Sequence, residues 1–189
     1  MDVMQAIRDR RSVRRYKPDP VSDQVLNGIL EAARWAPSWA NTQCWRFVVV
    51  RESETKEKLA GTVISPVPGR ENRAGIAIRS APLVIVACAE MGKSGYYKGE
   101  KATDKGDWFM FDVALAMQNL TLAAHAAGLG TVHVGLFNAK EAAGILGVPE
   151  GVVVVEMTPL GYADEKPATP LRKGIAEIVF HDRYGRSRV

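Results

Sequence analysis

Apolar residues follow two patterns along this chain, helical spacing in some segments and short uninterrupted runs in others. Residues 22–35 show the first, since Val25, Leu26 and Ile29 recur three and four positions apart. Residues 82–89 show the second, with the length of a buried strand. We predict helices over 2–10, 22–35, 107–128 and 139–146, a short helix beginning at residue 53, and strands over 45–50, 82–89, 131–137, 151–159 and 175–180.

The remaining segments are predicted as connections. Residues 65–80 and 91–106 are rich in glycine and polar residues and are expected to be loops, and 165–170 is expected to be a proline-containing turn. The run at 45–50 is expected to be buried on both faces of the sheet. Strands separated by helices predict one α/β domain over residues 1–189, with a mixed central sheet flanked by helices.

The segment 107–128 is apolar around almost its whole circumference. A helix of this kind must be covered on every side, and a small domain has few ways to do that alone. We therefore predict a long buried helix at the interface of a homodimer. Its most unusual residue is Asp112, which we expect to anchor a loop by hydrogen bonds rather than to act as a general acid.

The composition indicates the class of protein and its cellular compartment. The chain has 189 residues, of which 47% are hydrophobic and 24% charged, as in soluble globular proteins. Its apolar runs are too short to span a bilayer, and its start lacks the features of a signal peptide. We expect a cytoplasmic protein without a membrane partner. Cys44 and Cys88 lie in apolar segments and are expected to be small buried thiols.

The net charge of +4 keeps a basic nucleic-acid-binding module as a rival interpretation. Such a module needs aromatic side chains on which bases stack, and only 7% of the residues are aromatic. The basic residues are also spread along the chain. A small anionic ligand explains the excess better, so we expect no nucleic acid partner.

Arginines occupy four of the six positions from 10 to 15, directly after the first predicted helix. A guanidinium is a planar fork of donors that suits phosphate, and a serine hydroxyl adds another donor. The candidate phosphate-binding residues are Arg10, Arg11, Ser12 and Arg14. The alternative is a solvated basic turn or arginines paired with surface carboxylates. Arg172 and Lys173 could close on the same phosphate, although alone they are typical of a solvated turn.

Residues 37–43 join a predicted helix to a predicted strand and contain Ser38, Asn41 and Gln43. Amide side chains both donate and accept hydrogen bonds, which suits the polar edge of a heterocycle. The alternative is a plain helix-stop turn whose side chains cap the backbone.

Several common catalytic motifs are absent. The sequence GLGTVH at 128–133 has histidine in place of the third glycine of a dinucleotide fingerprint, and it follows a helix rather than a strand. There is no phosphate-binding GxxxxGK[ST] loop and no GxSxG motif. The three histidines are too scattered for a zinc-binding HExxH pair.

Six short motifs and one late arginine make the chain similar to the FMN-dependent nitroreductase family over nearly its whole length. The segments that carry the resemblance are RRSVR at 10–14, APSWANTQCWRFV at 36–48, FDV at 111–113, QNL at 118–120, GLG at 128–130 and PLGY at 159–162, followed by Arg172. Each is weak alone, but their order and spacing are specific.

The resemblance implies a homodimer with two FMN sites at the subunit interface. The residues implied around the phosphate and ribityl chain are Arg10, Arg11, Ser12, Arg14, Arg172 and Lys173. Those implied to reach in from the partner are Pro37, Ser38, Trp39 and Asn41, with Gln43 adjacent. The resemblance also implies that the backbone at Gly135 and Leu136 lies near the flavin ring.

The chain departs from the family pattern at three places. Trp39 stands where a small residue is usual, and Cys44 stands where proline is usual. Bulk at Trp39 is expected to narrow the pocket above the flavin. Between residues 63 and 79 no segment matches clearly, and Asn72 and Arg73 are the candidates for further ring contacts.

The resemblance implies an enzyme that passes electrons from NADH or NADPH to an electron-poor acceptor, such as a nitroaromatic or a quinone, by a ping-pong hydride mechanism. No catalytic acid or base is required, because the flavin carries the chemistry. Two alternatives stay open, a flavin-binding or sensing protein without turnover and a relative that performs dehalogenation or flavin fragmentation.

Overall fold

The two longest strands, β2 (Leu83–Glu90) and β6 (Val152–Gly161), lie side by side at the centre of a four-stranded sheet. They belong to a computed structural model that describes residues 1–186. β1 (Trp45–Val50) pairs with the outer edge of β2, and β5 (Gly130–Thr131) pairs with that of β6. All three pairings are antiparallel, and Ser12 adds one parallel bridge to Thr131.

Helices cover both faces of this sheet. In chain order, the helices of the described residues are α1 (Val3–Asp9), α2 (Asp23–Arg34), α3 (Ser53–Gly61), α4 (Arg73–Ser80), α5 (Phe109–Ala126), α6 (Ala139–Leu146) and α7 (Ile175–Ile178). α2 and α5 pack on one face around Ile29, Ile85 and Leu120. α3, α4 and α6 pack on the other face around Leu59 and Ile78. The predicted α/β sandwich with helices on both sides of its sheet is confirmed.

α5 is buried on one side only within a single chain. Val113, Met117 and Leu120 are fully buried, whereas Met110 is 58% exposed and Phe111 is 54% exposed. This difference between a buried and an exposed side is consistent with the prediction that one chain alone cannot enclose the helix. None of the helices in residues 1–186 combines the length and apolar character needed to cross a membrane.

The predicted loop at 65–80 is wrong for its second half, which forms α4. Asn72 caps this helix by accepting a hydrogen bond from Ala74 N. Gly75 and the arginines of this segment indicate a loop, but Ala77 and Ile78 are fully buried. Gly75 allows close packing, since a Cβ there would lie 3.4 Å from the carbonyl oxygen of Ala60 in α3.

The predicted strand at 131–137 is correct only at its start. After β5, the segment makes isolated bridges at Val134 and Phe137 instead of a continuous ladder. The physical reason is that successive residues pair with different segments: Val134 pairs with Met157, and Phe137 pairs with Val63.

One further prediction fails near the end of the chain. The predicted strand at 175–180 contains the short helix α7, which begins where Gly174 N donates to the Glu177 carboxylate at 2.6 Å. β1 is an edge strand, but both of its faces are covered, as predicted: Trp45, Phe47 and Val49 pack in the core with α2 and α5, and Val48 and Val50 pack in the opposite core. Residues 91–106 are mostly loop, as predicted, but contain the hairpin β3 (Tyr96–Tyr97) and β4 (Glu100–Lys101).

Candidate functional site

Four arginines and a serine surround one cavity beyond the C-terminal end of α1. The cavity has a volume of about 410 Å³. The predicted residues that line it are Arg10, Arg11, Ser12, Arg14 and Arg172, together with the proline-rich stretch at 167–170. The structure thus brings together two segments that lie more than 150 residues apart in the chain, as the hypothesis of a shared phosphate site requires. Lys173 is exposed and does not line the cavity.

Arg10 carries the strongest sign of an anion-binding site. Its Nη1 atom is buried and makes no hydrogen bond within the described residues. Burial, and then the charges of Arg11 and Arg172, lower the pKa of the Arg10 guanidinium. A buried donor without an acceptor is unfavourable, and an anion in the cavity would supply the acceptor and offset the repulsion between the guanidinium groups. The residues present therefore fit a phosphate.

Arg11 has a different role from its neighbours. Its Nη1 donates to the carbonyl oxygens of Arg8 at 2.6 Å and Arg10 at 2.7 Å, and its Nη2 donates to Thr169 Oγ1 at 2.6 Å. These bonds tie the late segment of the chain to the end of α1. Arg11 thereby closes the cavity wall, and its guanidinium is already largely satisfied by protein atoms.

The segment that carries these arginines is fixed to the sheet edge. Val13 N donates to Thr131 O at 2.9 Å, and the Tyr16 hydroxyl donates to Val13 O at 2.6 Å. Gly130 permits the approach, because a Cβ there would lie 2.7 Å from two carbons of Val13. Burial raises the pKa of Tyr16, so its hydroxyl remains a donor. The arginine segment is therefore positioned by backbone contacts rather than by its charges.

Arg14 links this cavity to a second one of about 340 Å³, which is also bordered by Ser65, Asn72 and Arg73. Glu165 joins the two sides: it accepts a short hydrogen bond from Arg14 N and one of 3.4 Å from Arg73 Nη2. The sequence offers Arg73 as a candidate and does not indicate Glu165. No motif identifies Glu165, since its role depends on where the chain turns after β6.

Gly135 and Leu136 lie at the surface near this second cavity. Leu136 O accepts from Ile64 N at 3.0 Å, which places both residues next to Ser65. Their own N–H groups make no hydrogen bond within the part of the chain that the structure describes. A Cβ added at Gly135 would meet open space. The segment therefore offers free backbone donors, as the resemblance implied for a flavin ring.

The turn at 37–43 is held rigidly by one buried carboxylate. Asp112 in α5 is fully buried and accepts from Trp39 N at 3.1 Å and from Thr42 Oγ1 at 3.4 Å. Cys44 Sγ lies 3.7 Å from the same carboxylate. The expectation that Asp112 anchors a loop is confirmed. Burial above all, and then Asp112, raises the pKa of the Cys44 thiol to about 12, so this thiol is uncharged.

This turn adopts a conformation that most side chains avoid. Ala40, Asn41 and Gln43 have φ values of 45°, 56° and 47°. Ser38 Oγ accepts from Gln43 N at 3.0 Å, and Gln43 Nε2 donates to Asn41 Oδ1 at 3.1 Å. The turn presents the exposed amides of Asn41 and Gln43 in a fixed arrangement, while Ser38 caps a backbone N–H as in the helix-stop alternative. Pro37 is exposed, and Trp39 is half-buried against the anchor.

The structure does not bring the turn at 37–43 to the arginine cavity within one chain. The turn is fastened at Asp112, near the start of α5, whereas His125 near its end borders the same pocket as Asp9 and Arg11. Thirteen residues of helix separate Asp112 from His125, which is about 20 Å at 1.5 Å per residue. The two halves of the predicted site therefore lie at opposite ends of α5.

Comparisons with known proteins agree with this architecture. The model of the Nitroreductase family matches residues 7–162. A protein of Methanothermobacter thermautotrophicus, provisionally named NADH dehydrogenase/NAD(P)H nitroreductase, is 34% identical over 173 residues, covering 89% of this chain and 81% of its own. The NADH dehydrogenase of Thermus thermophilus is 31% identical over 207 residues and covers 95% of each chain.

Solved structures agree as well. An FMN-dependent nitroreductase from Clostridium difficile superposes with a TM-score of 0.78 at 26% identity, covering 96% of this chain and all of the other. Within residues 1–186, no group of histidine, cysteine and carboxylate side chains could hold a metal ion. The fold, the order of the motifs and the family match lead to one conclusion: the chain belongs to the nitroreductase family.

Proposed function

We propose that this chain is an FMN-dependent oxidoreductase that passes electrons from NADH or NADPH to an electron-poor acceptor, such as a nitroaromatic or a quinone. The observation that carries the proposal is the arginine cavity, in which the buried Nη1 of Arg10 has no acceptor. Family membership supports the same reaction class. The acceptor is proposed as a flat, electron-poor molecule because an open flavin face selects little else.

The residues of one chain suit FMN along a continuous path. The arginine cavity would hold the phosphate, and Arg14, which borders both cavities, would lie beside the ribityl chain. The free N–H groups at Gly135 and Leu136 would face the flavin ring. Cations at one end and neutral backbone donors at the other match a molecule with a charged phosphate and an uncharged heterocycle.

When bound, FMN supplies the redox chemistry, accepting electrons from the reduced nicotinamide and passing them to the acceptor in a ping-pong cycle. The chain's residues bind and orient it. Arg14 and Arg73 place positive charge near the second cavity, which favours added negative charge on a ligand there, and Glu165 partly offsets it. No side chain is required as a catalytic acid or base, and we assign none.

We infer that the site is completed by a second copy of the chain. Apolar side chains lie exposed along α1 at Val3, Met4 and Ile7, and on α5 at Met110 and Phe111. A surface of this kind is typical of a protein–protein interface. If two α5 helices packed antiparallel about a two-fold axis, the N-terminal end of each would meet the C-terminal end of the other. The partner's turn at 37–43 would then reach the arginine cavity.

A visible spectrum tests the proposal. Purified protein should carry flavin absorbance or acquire it on addition of FMN, and NADPH or NADH should bleach it under anaerobic conditions. An acceptor such as a quinone should restore the colour. A colourless protein that takes up no FMN would refute the cofactor assignment. A yellow protein that neither nucleotide bleaches would instead be a flavin-binding protein without turnover.

A further inference from the structure

A histidine, a glutamate and a threonine form a hydrogen-bonded group beside the proposed ring-binding segment. His133 Nδ1 lies 2.9 Å and 3.0 Å from the two carboxylate oxygens of Glu156. Thr158 Oγ1 donates to Glu156 Oε1 at 3.0 Å, and Thr158 is fully buried. The Glu156 side chain is 16% exposed and that of His133 is 38% exposed. The carboxylate is thus fixed from behind, while the imidazole faces the surface.

The position of His133 in the sequence places it between the arginine segment and the proposed ring-binding segment. It follows Thr131, which pairs with Ser12 of the arginine segment, and precedes Gly135. Two residues of extended chain span about 7 Å, so His133 lies midway between them. Val132 and Val134 are buried in the core, whereas His133 and Gly135 are exposed. Alternation therefore puts His133 on the same side as Gly135.

The hydrogen bond to Glu156 determines which ring nitrogen is free. A carboxylate can only accept, so Nδ1 carries the proton and donates it. In the neutral ring Nε2 is then an acceptor, and within the described residues the hydrogen bonds of this side chain are made by Nδ1 alone. The group matches the way carboxylates orient functional histidines in other proteins. Nothing in the fold requires an imidazole here, since the core is formed by the valines on either side.

We propose that His133 is a cofactor-contacting residue, oriented by Glu156, whose Nε2 accepts a hydrogen bond from a ribityl hydroxyl of FMN. This inference rests on the proposed function. A hydroxyl is the expected donor because the polyol chain joins the phosphate to the ring, and His133 lies between the arginine cavity and the backbone at Gly135. Glu156 is a positioning residue, since it acts through the imidazole.

Two substitutions of His133 by amide side chains distinguish the roles of its two ring nitrogens. In His133→Asn the amide can replace Nδ1 toward Glu156 but leaves nothing at the position of Nε2. In His133→Gln the amide can replace Nε2 instead. We expect His133→Asn to raise the Kd for FMN about five- to tenfold, the effect of one lost hydrogen bond, and His133→Gln to stay within about twofold of the native value. FMN fluorescence titration measures both, with His181→Gln as the unaffected control.

A second measurement does not depend on activity or affinity. In cofactor-free protein, ¹⁵N NMR of the imidazole rings should show the proton of His133 on Nδ1, and Glu156→Gln should move it toward Nε2. Addition of FMN should shift the Nε2 resonance of His133 while leaving that of His181 in place. Native FMN affinity in His133→Asn, or an unmoved His133 resonance, would overturn the inference while leaving the proposed function intact. Failure of the native protein to bind FMN would overturn both.

Discussion

The Arg10 guanidinium lies in an arrangement that a bound anion would stabilise. Its buried Nη1 has no acceptor within the described residues, and the positive charges of Arg11 and Arg172 lie close enough to lower its pKa. Proteins keep such an arrangement at functional sites, where strain and repulsion in the free state are relieved by binding. Removal of one positive charge is therefore expected to weaken FMN binding without lowering the stability of the cofactor-free protein.

Arg172→Ala tests this expectation. Removing an exposed arginine that borders the cavity should raise the Kd for FMN about 10- to 150-fold, which corresponds to about 1.5–3 kcal/mol for a charge-assisted hydrogen bond. The free energy of unfolding of the cofactor-free protein should be unchanged or higher, because repulsion with Arg10 is relieved. Titration calorimetry and urea unfolding measure the two effects. Arg51→Ala, which removes a surface ion pair with Asp23, is the control and should leave FMN affinity unchanged.

The Cys44 thiol gives a prediction about pH. Burial above all raises its pKa from an ordinary value of 9.0 to about 12 in the folded protein. Above pH 9 the native state therefore binds more protons than the unfolded state, so the free energy of unfolding falls as pH rises. Between pH 7.5 and 10 this thiol should account for about 1–1.5 kcal/mol of the fall. The decrease measured by urea unfolding should be smaller by that amount in Cys44→Ala, and equal decreases would show that the thiol is not responsible.

At the scale of residues, the sequence predicts the arginine cavity but only part of its surroundings. Guanidinium clusters are visible because few other structures need them, so Arg10 and Arg14 stand out. Glu165 and Arg73 do not, because each is an ordinary charged residue that matters through its distance to Arg14. The sequence predicts Arg11 as a phosphate-binding residue. In the structure its side chain mainly joins two segments of the chain.

At the scale of elements, β5 is the contact that positions the arginine segment. Gly130→Ala places a Cβ at 2.7 Å from Val13, so either β5 or the arginine segment must shift. We expect a loss of about 1–3 kcal/mol in the free energy of unfolding and weaker FMN binding. Gly144→Ala is the matched control, because this glycine lies inside α6 and its Cβ would meet nothing within 4 Å. That variant should gain about 0.5–1 kcal/mol, and a similar gain for Gly130→Ala would contradict the assigned contact.

Element prediction depends on the length of a pattern and on the residues that flank it. The helices α2 and α5 extend over 12 and 18 residues, enough for periodicity to show. α4 and α6 both have 8 residues with a glycine inside, but α4 follows a stretch with Pro66, Pro68 and Gly69, which indicates a loop, and the sequence predicts only α6. α7 has only 4 residues, so its spacing is not distinguishable from that of a strand. The run at 131–137 has strand composition, yet the sequence cannot show that it would pair with several partners in turn.

At the scale of the whole molecule, the position of the turn at 37–43 is what sequence reasoning could not supply. Its amides suggest a heterocycle, but only the structure shows that Asp112 fixes it about 20 Å along α5 from His125, which borders a pocket together with Asp9 and Arg11. In the proposed shared site, one chain carries two incomplete halves, and a second copy would complete both. Exposed Met110 and Phe111 on the same helix supply the apolar surface that such a pairing needs.

Phe111→Glu tests the pairing directly. A charge on the exposed side of α5 should oppose burial against a partner, so sedimentation should show a shift from dimer to monomer. FMN should be lost with the dimer, because the partner's turn is then absent. Ile76→Glu is the control: Ile76 is also an exposed apolar residue on a helix, but α4 lies on the opposite face of the sheet. A native protein that is a monomer with full FMN occupancy would contradict the shared site.

A mixed dimer distinguishes sharing of the site from dimerisation alone. One subunit carries Arg10→Ala and Arg172→Ala, which weaken the phosphate cavity, and the other carries Ser38→Trp, which fills the space beside the turn. Each homodimer should bind little FMN. In the mixed dimer, the intact cavity of the second subunit meets the intact turn of the first, so one FMN per dimer should bind while the other site carries both defects. If each site were built within one chain, every site would contain a defect and the mixed dimer, isolated with two affinity tags, would bind no more FMN than its parents.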